Sequence, residues 1–203
     1  MNRHEHWNHV YRTKAPEQTS WHQSRPDVSL EMIAASGVAI DAGIIDIGGG
    51  TSVLVDHLLD LGYANLAVLD LSAAALTISR ERLGARAARV EWYESDVARF
   101  EPPRDYALWH DRALFHFLTD ADDRRKYLAT LRKTLRSGGT VVIATFALDG
   151  PPKCSGLDVR RHDERSIAAE LGREFELQEV RPEMHVTPWK SEQPFIYCRF
   201  RLF

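Results

Sequence analysis

The sequence predicts an α/β fold, a mostly parallel sheet covered by helices, on three observations. Short β-branched runs alternate with amphipathic stretches between residues 43 and 146. The first run breaks off in three consecutive glycines, Gly48, Gly49 and Gly50. The run Thr140-Val141-Val142-Ile143-Ala144-Thr145 has no polar face, as expected of a strand buried on both sides.

The elements follow in order. Gly43-Ile44-Ile45-Asp46-Ile47 reads as the first strand. From Thr51, apolar positions Val53, Leu54, Leu58 and Leu61 recur at helical spacing until Gly62. Residues 66–70 form a second strand, and Ser72 caps an alanine-rich helix running toward Gly84. Residues 89–93 alternate like a third strand, and 106–109 form the fourth. A helix over 120–135 buries Tyr127, Leu128, Leu131 and Leu135, and Gly138-Gly139 ends it before strand five. Gly150-Pro151-Pro152 opens a loop to Arg161, Asp163 starts a short helix to Leu171, and 175–180 and 195–202 read as an antiparallel pair closing the sheet edge. The first forty residues carry no strand signal and read as an appended helical segment with Trp7, Tyr11 and Trp21. No linker composition divides the chain, so 1–203 reads as one domain, a lid segment over 1–40 on a core over 41–203.

Composition narrows the function. The chain has 203 residues, enough for a full core, with 44% hydrophobic and 27% charged residues. A net charge of -3 gives no basic face for nucleic acid, and no apolar run is long enough to cross a bilayer. Two distant cysteines, Cys154 and Cys198, make no disulfide framework, so a reduced, cytoplasmic protein is expected. His4, His6 and His9 are not spaced to share one helical face, and no acid or cysteine completes a metal set.

The most informative stretch is Asp46-Ile47-Gly48-Gly49-Gly50-Thr51-Ser52, between a strand and a helix. Glycines let the chain turn tightly and let a ligand approach the backbone, and the helix that follows offers free amides to an anion. A nicotinamide site would place a third glycine where Val53 stands. Acids close the next two strands, Asp70 followed by Leu71, and Asp96 followed by Val97. All three acids fall on the carboxyl edge where open sheets bind ligands, although helix capping alone also accounts for Asp70 and Asp96.

The ordered set Asp46-x-Gly48-x-Gly50, Asp70 and Asp96 resembles the class I S-adenosylmethionine-dependent methyltransferases, with Ser52 in the place of a frequent third glycine. The resemblance implies a Rossmann-like, seven-stranded, mostly parallel sheet with one antiparallel edge strand, helices on both faces and an N-terminal helical lid. It implies S-adenosylmethionine as cofactor, held by Asp46, Gly48, Gly49 and Gly50, by Asp70 and Leu71 at the ribose, and by Asp96 and Val97 at the adenine. Tyr11 and Trp21 are then candidates to cover the donor, by a hydroxyl contact and by stacking, or else only glue the lid to the body.

Methyl transfer from a sulfonium is an in-line displacement, so alignment and exclusion of water carry most of the catalysis. Residues after strand four border the methyl group: Trp109-His110-Asp111-Arg112-Ala113-Leu114. Together with Asp149-Gly150-Pro151-Pro152 they resemble the thiopurine methyltransferase branch, whose Asp-Arg and Ala-Leu pairs are one residue further apart. That favours a small acceptor with a soft nucleophile, a thiol, chalcogen or metalloid. His110 is a candidate for proton transfer or for the methionine end of the donor, and Asp111 and Arg112 for orienting substrate or for pairing with each other. Cys154 either lines the pocket or is a plain loop residue. A protein lysine methyltransferase and a non-catalytic donor-binding module stand as rivals; the absence of an Asn/Asp-Pro-Pro-Tyr-type tetrapeptide after strand four weighs against amines.

Overall fold

A computed structural model describes residues 3–203. Helix α1 (Arg3–Thr13) and helix α2 (Asp27–Ala35) precede the first strand. The body then runs β1 (Gly43–Ile47), α3 (Leu54–Asp60), β2 (Asn65–Asp70), α4 (Ala73–Leu83), β3 (Val90–Glu94), β4 (Tyr106–Arg112), α5 (Ala121–Thr134) and β5 (Leu135–Phe146). A small hairpin, β6 (Lys153–Cys154) and β7 (Leu157–Asp158), α6 (Glu164–Leu171), β8 (Phe175–Val186) and β9 (Glu192–Leu202) complete it.

The seven-stranded sheet has the order β3-β2-β1-β4-β5-β9-β8. Strands β1 to β5 pair in parallel, while β9 runs antiparallel between β5 and the edge strand β8. The order reverses at β1, so the carboxyl ends of β1 and its neighbours β2 and β4 open a crevice where the glycine turn lies.

Strand alternation sorts the core into two layers. On one face Ile45, Ile47 and Trp109 pack with Tyr127 and Leu131 of α5 and Ile167 and Leu171 of α6. On the other, Ile44, Val68 and Leu108 pack with Leu30 and Ile33 of α2, Leu54 and Leu58 of α3, and Leu76 and Leu83 of α4. Helix α2 is therefore part of the packed body, with Met32 and Ile33 wholly buried. The chain ahead of it, α1 and the stretch to Trp21, lies over the crevice.

Capping residues behave as their chemistry predicts. The Ser72 hydroxyl accepts from the Ala75 amide, Asp120 from that of Asp122, and Asp163 from that of Ser166. Several elements differ from expectation. Helix α5 ends at Thr134 and strand β5 begins at Leu135, ahead of Gly138-Gly139, because Leu135 pairs with Tyr106 of β4 before a register shift. Strand β4 continues to Arg112, because His110 and Asp111 find buried partners that let polar residues enter a central strand. The loop after β5 contains the β6–β7 hairpin, and β8 continues to Val186, taking in Pro182, which an edge strand tolerates. No helix among the described residues is long and apolar enough to cross a membrane.

Candidate active site

Register brings Asp46 of β1 beside His110 of β4, on the face shared with α2. The imidazole Nδ1 lies 2.7 Å from Asp46 Oδ1 and Nε2 lies 2.9 Å from Ser29 Oγ. Both ring nitrogens are thus engaged, and the group braces Asp46 beneath the glycine turn. The amides of Gly48 and Gly49 both donate to the Leu69 carbonyl, which ties that turn to β2.

Two cavities meet over this turn. The larger, about 780 Å³ and open to solvent, is lined by Asp70, Leu71, Ser95, Asp96 and Val97 at one end and by Trp7, Phe117, Ala113, Leu114 and Cys154 at the other. The second, about 540 Å³, is lined by Asp46, Gly49, Thr19, His22, Ser29 and His110. Tyr11, Trp21, Gly48 and Arg112 belong to both and mark their junction.

Aromatic side chains enclose the junction. Trp7 meets Trp21 edge-on at 5.6 Å and Phe117 at 5.0 Å, and Tyr11 meets Trp21 at 6.2 Å. Such π faces attract a cation such as a sulfonium. Tyr11 sits close over the turn: a Cβ on Gly50, at φ +50°, would lie 2.6 Å from its hydroxyl and 3.3 Å from Asp70 Oδ2. The backbone here has no room for a side chain, so glycine is required by contact as well as by conformation.

Helix α1 is fastened to the body by Asn8, whose Oδ1 accepts from the Ser72 hydroxyl at 3.0 Å and the Ala74 amide at 3.2 Å. Ser72 in turn donates its amide to Asp70 Oδ1 at 2.7 Å. The helix carrying Trp7 and Tyr11 and the carboxylate at the end of β2 therefore share one hydrogen-bonded network. Burial pushes the Asp70 carboxyl up to about 7, against the amides of Ser72, Gly50 and Leu71, with nearby Asp46 adding repulsion.

The structure brings Tyr11, Trp21, Asp46, Gly48, Gly49, Asp70, Leu71, Asp96, Val97, His110 and Arg112 to the cavity walls, with Gly50 directly beneath Tyr11. Asp96 also accepts from the Ala98 amide at 2.9 Å, so capping and cavity lining coexist in one residue. Asp111 is not brought there. Alternation turns it to the opposite face, where it accepts from the amides of Leu114 and Phe115 and from the Tyr127 hydroxyl at 2.7 Å. Burial pushes its carboxyl up to about 6 despite those three donors. It does not pair with Arg112 either, whose Nε donates to Tyr197 and whose Nη1 donates to the Trp21 carbonyl. Asp111→Ala should cost roughly 3 kcal/mol of stability by orphaning three donors while leaving donor affinity within about twofold. Denaturant unfolding and calorimetry on the same variant check both halves.

Other histidines and the second cysteine take structural places. His116 is buried against Phe117 and Phe146, with its pKa lowered to about 3 by burial, and Cys198 lies in the core opposite Ile143. His185 bonds the Ser20 carbonyl at 2.6 Å and so anchors the segment before Trp21. His4, His6 and His9 form no metal cluster, nor does any other group among the described residues. Sequence gives no role to Asn8, Ser29 or Phe117, and to Trp7 only that of gluing the helix to the body; the four-residue spacing of Trp7 and Tyr11, one helical turn, is the signal that both face the crevice.

A family model described as "Methyltransferase domain" matches residues 44–139, from β1 into the bulged start of β5. The fold is similar to that of a solved structure from work on conversion of a disulfide bond into a thioacetal group during echinomycin biosynthesis (20% identity, 98% of this chain and 92% of that one, TM-score 0.80). It is also similar to the N-methyltransferase NodS of Bradyrhizobium japonicum with S-adenosyl-L-homocysteine (14%, 97% and 98%, TM-score 0.75). A third is the 1,6-didemethyltoxoflavin-N1-methyltransferase of Burkholderia thailandensis (20%, 95% and 80%, TM-score 0.68), solved with bound 1,6-didemethyltoxoflavin and S-adenosylhomocysteine. No curated protein matches in sequence. The glycine turn and the acids of three successive strands converge on one crevice, and all of them lie within the residues that match the methyltransferase-domain model.

Proposed function

We propose that the protein methylates a small-molecule acceptor that arrives as a soft anion, a thiolate or related species, at the junction of the two cavities. The supporting observation is chemical. The residues shared by both cavities are Tyr11, Trp21, Gly48 and Arg112, and none is a base at neutral pH. Burial drives the Tyr11 hydroxyl well above its usual range, and it lifts the Cys154 thiol nearby to about 11. An amine or alcohol would need its proton removed there, whereas a thiol ionises with little help.

The residues fit the donor. Asp70 offers a buried carboxylate to a vicinal diol, Asp96 and Val97 a polar and an apolar contact to a base, and the glycine turn a backbone surface without Cβ atoms. Asp46, braced by His110 and Ser29, faces the second cavity and suits an ammonium group. When bound, S-adenosylmethionine supplies a methyl group on a cationic sulfur that leaves as a neutral thioether. The chain's own part is to hold both reactants in line, exclude water with Trp7, Tyr11 and Trp21, and keep the acceptor ionised beside Arg112. The lid in this reading is α1 with the stretch to Trp21, rather than all of residues 1–40, within a single unit over 1–203.

His22 in the wall of the second cavity favours a second reading, in which it takes the proton of a hydroxyl or amine acceptor. Calorimetry with S-adenosylmethionine and its demethylated product should show binding to both. A panel of thiols, hydrogen chalcogenides, metalloids, carboxylic acids and amines, scored for S-adenosylhomocysteine formation, should then give turnover with the thiols, and His22→Ala should retain it. Turnover confined to amines or alcohols, and lost in His22→Ala, selects the second reading.

A further inference from the structure

A third cleft, about 630 Å³ and open to solvent, lies on the outer side of Trp21 and Cys154. Those two side chains also line the donor cavity, so they form the partition between it and this cleft. The cleft is framed by three connecting segments: the chain after α1, the β6–β7 hairpin and the β8–β9 turn. Its lining contains two cations, Lys14 and Lys153, and no acidic residue. Lys153 lies 3.1 Å from Asp158 of the same hairpin, but side chains 63% and 77% exposed hold each other weakly. Trp189, 56% exposed, presents an indole to the cleft from the β8–β9 turn. Deeper in, Gln193 is 9% exposed and its Oε1 is buried without a hydrogen-bond partner. A buried carbonyl without a donor is open to one supplied by a ligand.

We propose that this cleft receives the acceptor, and that the acceptor is a small aromatic acid. Its anionic group meets Lys14 and Lys153, its ring meets Trp189, a hydrogen-bond donor on it meets Gln193, and its nucleophilic end passes Cys154 and Trp21 toward Arg112. The assignment rests on the methyltransferase reading and adds to it the acceptor's charge and its route. Cys154, uncharged, presents a polarizable sulfur along that route without competing for the methyl group.

The test is titration of the protein saturated with S-adenosylhomocysteine, using 2-mercaptobenzoate, neutral 2-mercaptobenzyl alcohol and cationic 2-mercaptobenzylamine. The acid should bind about tenfold more tightly than the amine, and the gap should narrow at about 0.5 M salt. It should vanish in the double variant Lys14→Ala/Lys153→Ala, and Trp189→Ala should weaken all three ligands. Equal binding of acid and amine, no binding of any of the three, or a preference that survives the double variant overturns the assignment. Failure of S-adenosylhomocysteine itself to bind, measured first in the same series, strikes the methyltransferase reading instead.

Discussion

Asp70→Asn is expected to weaken S-adenosylmethionine binding by about a hundredfold or more while making the unliganded protein more stable above pH 7. The carboxylate at the end of β2 accepts the Ser72 amide at 2.7 Å with one oxygen, and its buried side chain faces the larger cavity. Two charge-assisted hydrogen bonds to a diol are worth roughly 3 kcal/mol together, hence the loss in affinity. Stability moves the other way because this carboxyl titrates at about 7 in the fold rather than at 3.8. A carboxyl whose folded pKa is raised holds its proton more tightly when native, so native stability falls as pH climbs from about 4 to about 7 and stays reduced above that. The displacement sets a ceiling on the order of 4 kcal/mol, and asparagine, which keeps an acceptor for Ser72, should recover about half of it. Melting temperature against pH should therefore slope downward through this window in the wild type and flatten in the variant. A variant that loses stability and keeps its donor affinity would make Asp70 a cap for the Ser72 turn and nothing more.

That opposition between binding and stability is invisible in sequence, and so is most of what raises the Asp70 pKa. What sequence shows is local. The apolar runs of β1, β2 and the second half of β5, the glycine turn, and the caps Ser72, Asp120 and Asp163 all depend on residues within a few positions of one another, so period and side-chain chemistry suffice. The bracing of Asp46 does not. It joins residues 64 and 81 positions apart through His110 and Ser29, and it exists only because β1 and β4 pair in one register beneath α2. Placing His110 and Asp111 together as catalytic candidates overlooks strand alternation, which in an extended segment sends neighbours to opposite faces. The β6–β7 strands are two residues each, too short to show any period. The outer half of β8 mixes Arg181, Pro182 and Glu183 without a regular apolar alternation, because an edge strand can satisfy its pattern with solvent and ion pairs.

Arg112→Met is expected to depress methyl transfer at pH 7 by one to two orders of magnitude, with partial recovery as pH is raised. The guanidinium lies over the Phe195 ring at 4.6 Å, donates to Tyr197 Oη at 2.7 Å and to the Trp21 carbonyl at 3.0 Å, and has Glu183 at 3.6 Å from Nη2. Its side chain is 10% exposed, and Nη2 has no hydrogen-bond partner of its own at the junction of the two cavities. One positive charge at contact distance from an acceptor favours the ionised acceptor by about one to two pKa units, after allowance for Glu183. Removing it raises the acceptor's pKa in the complex, so the rising limb of the pH–rate profile moves to higher pH by that amount. A residue that only pinned Trp21 in place would lower the rate by the same factor at every pH. Arg112→Lys separates the two contributions further. It restores the charge and should return the profile toward neutrality, but an ammonium cannot bond Tyr197 and the Trp21 carbonyl at once, so the maximal rate should stay about tenfold down.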